Sequence, residues 1–138
     1  MKAFAVNPQR LLTGSTIAML CLAILVAPRV IHAVDQLPGN PDQGKTLFEK
    51  RCTGCHSLDQ DKEGPRLHDV FGRKAGKVAS FTYSDGLKDA QFTWDAALLD
   101  KWLTDTESVV PNNDMSFHVP NAQEPADIIR FLQTSSGK

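Results

Sequence analysis

Cys52-Thr53-Gly54-Cys55-His56 constrains this chain more than any other stretch. Two cysteines separated by two residues, with a histidine directly after the second, match the attachment motif of a c-type haem. Each thiol can form a thioether to a haem vinyl group, and His56 is then held beside the iron as proximal ligand. Other uses of the motif fare worse. A structural zinc site needs four ligands, but no second cysteine pair follows, and His68 and His118 are too far apart to form a zinc-binding pair. A thioredoxin-like redox pair belongs in an α/β pattern, which is missing around Cys52. A plain disulfide leaves His56 without a role.

The chain opens with a pattern typical of export. Lys2 and Arg10 precede an uncharged run from Leu11 to Ala27, and Ile31-His32-Ala33 supplies a small-residue cleavage signal. Residues 1–33 are therefore expected to be a cleaved secretory signal peptide and residues 34–138 one small domain in the periplasm. The alternative is an uncleaved anchor, since the apolar run is close to the lower limit for a spanning helix, ~17 residues. Cys21 lies inside the leader, so cleavage leaves Cys52 and Cys55 as the only thiols.

Charge narrows the range of partners. Lys2, Arg10 and Arg29 fall in the leader and no acidic residue does, so a formal net charge of −1 becomes −4 on cleavage. That balance argues against nucleic acid as a partner. The remaining charge is uneven, with basic residues concentrated between Lys45 and Lys88 and acidic ones prevailing from Asp89 onward.

The periodicity predicts an all-α domain with three main helices. Asn40-Pro41-Asp42-Gln43 looks like a helix start, with Asn40 as cap, Pro41 at the first helical position and Gln43 reaching back, and that helix runs into Cys52. A second is predicted from Thr93, as its cap, to about Thr104. A third covers Glu124 to Gln133, where Pro125 is tolerated in the first turn. Loops marked by glycine and proline connect them.

An electron-carrying haem needs a ligand on its second face. Of three methionines, only Met115 lies beyond the leader, in a Pro- and Asn-rich loop with no helical stripe to join. A thioether there is a good iron ligand. His68 and His118 are the rivals; His68, within Gly64-Pro65-Arg66-Leu67-His68, suits a structural hydrogen-bonding role better.

Taken together, Gly44, Phe48, Cys52-Cys55-His56, Gly64 to His68, Phe71-Gly72-Arg73-Lys74, Phe81 to Asp85, Trp94, Pro111 and Met115 resemble the small class I cytochromes c of bacteria, close to the mitochondrial type. The resemblance spans the whole domain and implies the class I fold: three main helices and loops wrapped around one haem c, attached through Cys52 and Cys55 and ligated by His56 and Met115. It implies that the Pro65 carbonyl accepts the ring N–H of His56 and fixes its tautomer. Arg73, Tyr83, Ser84 and Trp94 correspond to residues that hydrogen-bond the haem propionates, and Gly44, Phe48 and Phe131 to a close crossing of the first and last helices. Phe117 matches an aromatic beside the methionine ligand.

The chain also departs from that family. Trp102 replaces a tyrosine that contacts the methionine ligand, and an indole can only donate. Asn113 stands where a threonine often serves a propionate, a task its amide could take over. Glu107, Ser108 and Asp114 replace lysines at the haem edge, which points to a docking face that is mainly apolar with a neutral or acidic rim. The function implied is that of a soluble, monomeric one-electron carrier and not an enzyme. A dehydrogenase or cytochrome bc-type complex would be the donor, and a terminal oxidase, a reductase or a photosynthetic reaction centre the acceptor. The competing readings are a haem peroxidase, a gas-binding haem protein, or a dedicated electron-accepting subunit of a dehydrogenase.

Overall fold

A computed structural model describes residues 38–136. The predicted leader, its cleavage site and the start of the mature chain lie outside the described residues. Among the described residues five helices follow one another: α1 (Pro41–Arg51), α2 (Asp85–Asp89), α3 (Ala96–Thr104), α4 (Thr106–Val109) and α5 (Glu124–Thr134). The three long ones correspond to the predicted helices, whereas α2 and α4 are too short to leave a periodic signal. Among the described residues the only strand-like pairing is one antiparallel bridge between Lys74 and Thr93. None of these helices is long and apolar enough to cross a membrane.

α1 starts as predicted at Pro41, with the Asn40 side-chain oxygen accepting from the backbone N–H groups of Asp42 (2.9 Å) and Gln43 (3.2 Å). The return bond differs from expectation. Asn40 donates its own N–H to Asp127 Oδ1 at 2.7 Å, so the acceptor is a carboxylate of α5 instead of the Gln43 side-chain amide. One residue thus caps α1 and ties it to α5. At Gly44 a Cβ would run into the Asp127 carbonyl, so only glycine allows the two backbones this close. Phe48 and Phe131 pack above that crossing with ring centroids 5.3 Å apart. At the other end of α1, Arg51 meets Glu124 through Nε–Oε2 (2.7 Å) and Nη2–Oε1 (2.9 Å), a two-pronged and largely buried pair.

α3 begins later than predicted. Thr93 is held in the bridge to Lys74, Trp94 N–H donates to the Arg73 carbonyl (2.9 Å), and Gly72 N–H donates to the Trp94 carbonyl (2.7 Å). Backbone groups engaged in this ladder cannot also start a helix. The cap passes to Asp95, whose carboxylate accepts from Leu98 N–H at 2.8 Å. Trp94 is therefore set on an extended segment, from which it packs edge-on against Trp102 of α3 (5.3 Å, 62°) and Phe92 (4.9 Å, 82°). Leu99, Trp102 and Leu103 of α3 join Ile128, Ile129 and Leu132 of α5 in one buried cluster.

Candidate functional site: an apolar cavity closed by His56 and Met115

The helices and loops enclose a cavity of about 440 Å³. Cys52, Cys55, His56, Met115 and Phe117 all line it, and Trp94, Trp102, Leu99, Ile128 and Leu132 supply its apolar floor. Cys52 is partly buried and Cys55 exposed. Burial pushes the Cys52 thiol up to about 11, with Arg51 pulling the other way.

His56 is buried, and its Nδ1 lies 2.8 Å from the Pro65 carbonyl oxygen. A carbonyl can only accept, so Nδ1 carries the proton and Nε2 keeps its lone pair. Burial lowers the imidazole's tendency to protonate, and only the Pro65 bond opposes this; Lys62 adds to the lowering. Gly64 packs against the ring so closely that a Cβ would overlap it. The strap that carries Gly64 and Pro65 is fastened by Gly64 N–H to the Cys55 carbonyl (2.8 Å) and Leu67 N–H to the Ser57 carbonyl (2.9 Å). The local fold thus presents one neutral, fixed ring with a free basic nitrogen, the form a metal requires.

Arg73, Tyr83, Ser84 and Trp94 also line the cavity. Arg73 donates to the carbonyls of His68 (2.9 Å) and Arg66 (3.1 Å), which fixes its guanidinium in place. Burial pulls Arg73 below the usual arginine range and pushes Tyr83 up. The Ser84 hydroxyl is buried without a hydrogen-bond partner, a costly state for a polar group. A cation and a hydroxyl at the edge of an apolar cavity suit a flat apolar group that carries carboxylates. A haem is such a group, and the thiol pair, the free His56 nitrogen and the orphaned hydroxyl fit it.

Asn113 is the exception among the expected haem contacts. It lies outside the cavity lining, and its buried amide is fully engaged elsewhere: Nδ2 donates to Glu107 Oε1 and to the Val110 carbonyl, both at 2.9 Å, while Oδ1 accepts from Met115 N–H at 2.9 Å. No hydrogen is left over for a propionate. Its work is to shape the Met115 loop. Thr106 helps by donating its hydroxyl to the Met115 carbonyl at 2.9 Å. Sequence reading missed Thr106 and took Glu107 only as a charge at the haem edge, although Asp105 just before them, which caps α4 through Glu107 and Ser108 N–H, is a local signal of a turn. Of the rival histidines, His118 is exposed, and His68 faces Asp59 (3.3 Å) and Asp69 (3.7 Å) on the outer surface.

An all-α shell around an apolar cavity, with a thiol pair and a buried histidine at its wall, defines a c-type haem protein. Comparison with known proteins makes this specific. A family profile described as cytochrome c matches residues 41–136. Cytochrome c2 of Rhodomicrobium vannielii is 38% identical over 121 residues, covering 85% of this chain and 96% of the relative. Cytochrome c of Arabidopsis thaliana is 35% identical over 101 residues, covering 70% and 90%. In three dimensions, cytochrome cH from Methylobacterium extorquens superposes with a TM-score of 0.66 at 36% identity, covering 70% of this chain and 99% of that one. The chain belongs to the cytochrome c family. It has the class I fold, binds haem c covalently through its cysteine pair, and is an electron carrier and not an enzyme.

Proposed function

We propose that this protein is a periplasmic, monomeric carrier whose single haem is held by His56 and Met115 from opposite sides. The haem supplies a reversible one-electron couple at its iron. His56 offers Nε2 because Pro65 holds the proton on Nδ1. Met115 offers a neutral thioether from a loop braced by Asn113 and Thr106. With both ligands supplied by the chain itself, His56 and Met115 would keep substrates away from the metal and would limit the rearrangement that accompanies electron transfer.

Arg73, Tyr83, Ser84 and Trp94 take the propionates in this reading, and the apolar floor excludes water from the ring. Residues 1–33 direct export and are removed, leaving 34–138 as the working domain. A dehydrogenase or cytochrome bc-type complex is the donor, and a terminal oxidase, a reductase or a reaction centre the acceptor. The single observation that carries the reading is that His56 and Met115 line the same cavity as the two thiols. Met115→Ala tests it: the variant should lose the sulfur–iron absorption of the ferric protein and show a sharply lower reduction potential. An unchanged spectrum would remove Met115 from the iron.

A further inference from the structure

Glu107 is an exposed residue on a four-residue helix, yet both of its carboxylate oxygens are committed inward. Oε1 accepts from Asn113 Nδ2 and Oε2 from the Asn112 backbone N–H, each at 2.9 Å. The Asn113 amide passes the constraint on. Its partners are two acceptors on the nitrogen side, Glu107 Oε1 and the Val110 carbonyl, and one donor on the oxygen side, the Met115 N–H. A flipped amide would set acceptor against acceptor and donor against donor, so only one orientation is satisfied. Asn112 sits at φ 57°, in the left-handed region, and its N–H is directed at Glu107 by that turn.

We propose that Glu107 is a positioning residue for Met115: it clamps Asn112 and Asn113, and through Asn113 Oδ1 it holds the Met115 backbone so that the thioether stays turned into the cavity. Thr106 completes the clasp from the other side through the Met115 carbonyl. The hydrogen bonds of the clasp all lie within the segment 106–115. Glu107 is the informative member, because its side chain is exposed and its loss opens no hole in the core. Asn113 is buried, and its loss would damage the loop directly. The functional consequence rests on the reading that Met115 ligates iron.

The experiment uses haem-loaded protein and two readouts. One is hydrogen exchange at the Met115 amide, which reports the bond to Asn113 whether or not the sulfur reaches iron. The other is the rate at which added imidazole binds ferric iron, which is limited by departure of the native ligand. Glu107→Ala should speed both by at least roughly tenfold, the weight of a single hydrogen bond to a charged acceptor, and leave exchange in α1 and α5 unaltered. Glu107→Gln keeps one carbonyl acceptor and should fall between wild type and alanine. Asp100→Asn, which removes one exposed negative charge from α3, should behave as wild type. Unchanged Met115 exchange in Glu107→Ala, or faster exchange spread evenly over the whole chain, would overturn the clasp. The ligand reading fails in a different way: imidazole would then bind the wild type as fast as it binds Met115→Ala, while exchange at Met115 still decides the clasp.

Discussion

The Nδ1–H of His56 donates to the carbonyl oxygen of Pro65 across 2.8 Å, and Gly64 presses on the face of the same ring. The two contacts fix different things. The hydrogen bond selects the tautomer, and the missing Cβ sets how near the strap may approach. Gly64→Ala should therefore displace the imidazole or the strap, at a cost typical of overpacking, about 1–3 kcal/mol. The expected outcome is a lower yield of haem-bearing protein and a shifted reduction potential. A variant that matches wild type in both would show that the strap yields freely.

The cavity makes the fold depend on its contents. A cavity of about 440 Å³ without its occupant leaves Trp94, Leu99, Trp102, Ile128 and Leu132 short of packing partners on one side. That loss grows with the volume left unfilled and weighs heavily against a total stability of only ~5–15 kcal/mol for a small domain. The Cys52→Ala/Cys55→Ala double variant, prepared without haem, should stay largely unfolded. Circular dichroism during heating checks this, and a cooperative transition would contradict it.

Asp61 ties the loop after the haem motif to the next one. It accepts from the Ser80 hydroxyl and from Arg66 N–H, and these bonds hold its carboxyl below the usual range. A carboxyl with a depressed folded pKa stabilises the fold above its unfolded value near 3.8, and the contribution fades as pH falls through the folded value. Asp61→Asn should thus flatten the acid limb of the stability curve below about pH 4. Chemical denaturation at a series of acid pH values measures the slope. An unaltered slope would assign the acid sensitivity to other carboxyls.

Partner choice should follow the charges around the cavity opening. Glu63 and Asp114 line the cavity and are exposed, whereas Arg51 is neutralised by Glu124. Lys74 donates to Gln91 (3.0 Å) and Lys77 to the Lys88 carbonyl (3.1 Å), and neither lines the cavity. Electron transfer to an acidic-faced, mitochondrial-type oxidase should show little fall as salt is added, because there is little attraction to screen. A steep fall would reveal a basic docking face.

Much of this protein is written locally. Cys52-Thr53-Gly54-Cys55-His56 carries its covalent chemistry in five consecutive residues, Asn40 and Pro41 specify the start of α1 within one turn, and Met115, the one methionine among the described residues, marks a loop that lines the cavity. Such signals need no partner far along the chain. The tertiary structure decided what depends on distant groups. Thr93 pairs with Lys74 and so cannot cap α3, and Asn40 N–H finds a carboxylate 87 residues away on α5. Asn113 turns from an expected propionate donor into the brace of Met115, because Glu107, Val110 and Met115 surround its buried amide and use every hydrogen it has. A buried polar atom takes whichever partner the packing brings within about 3 Å, and that distance is set by the whole fold, not by spacing in the sequence.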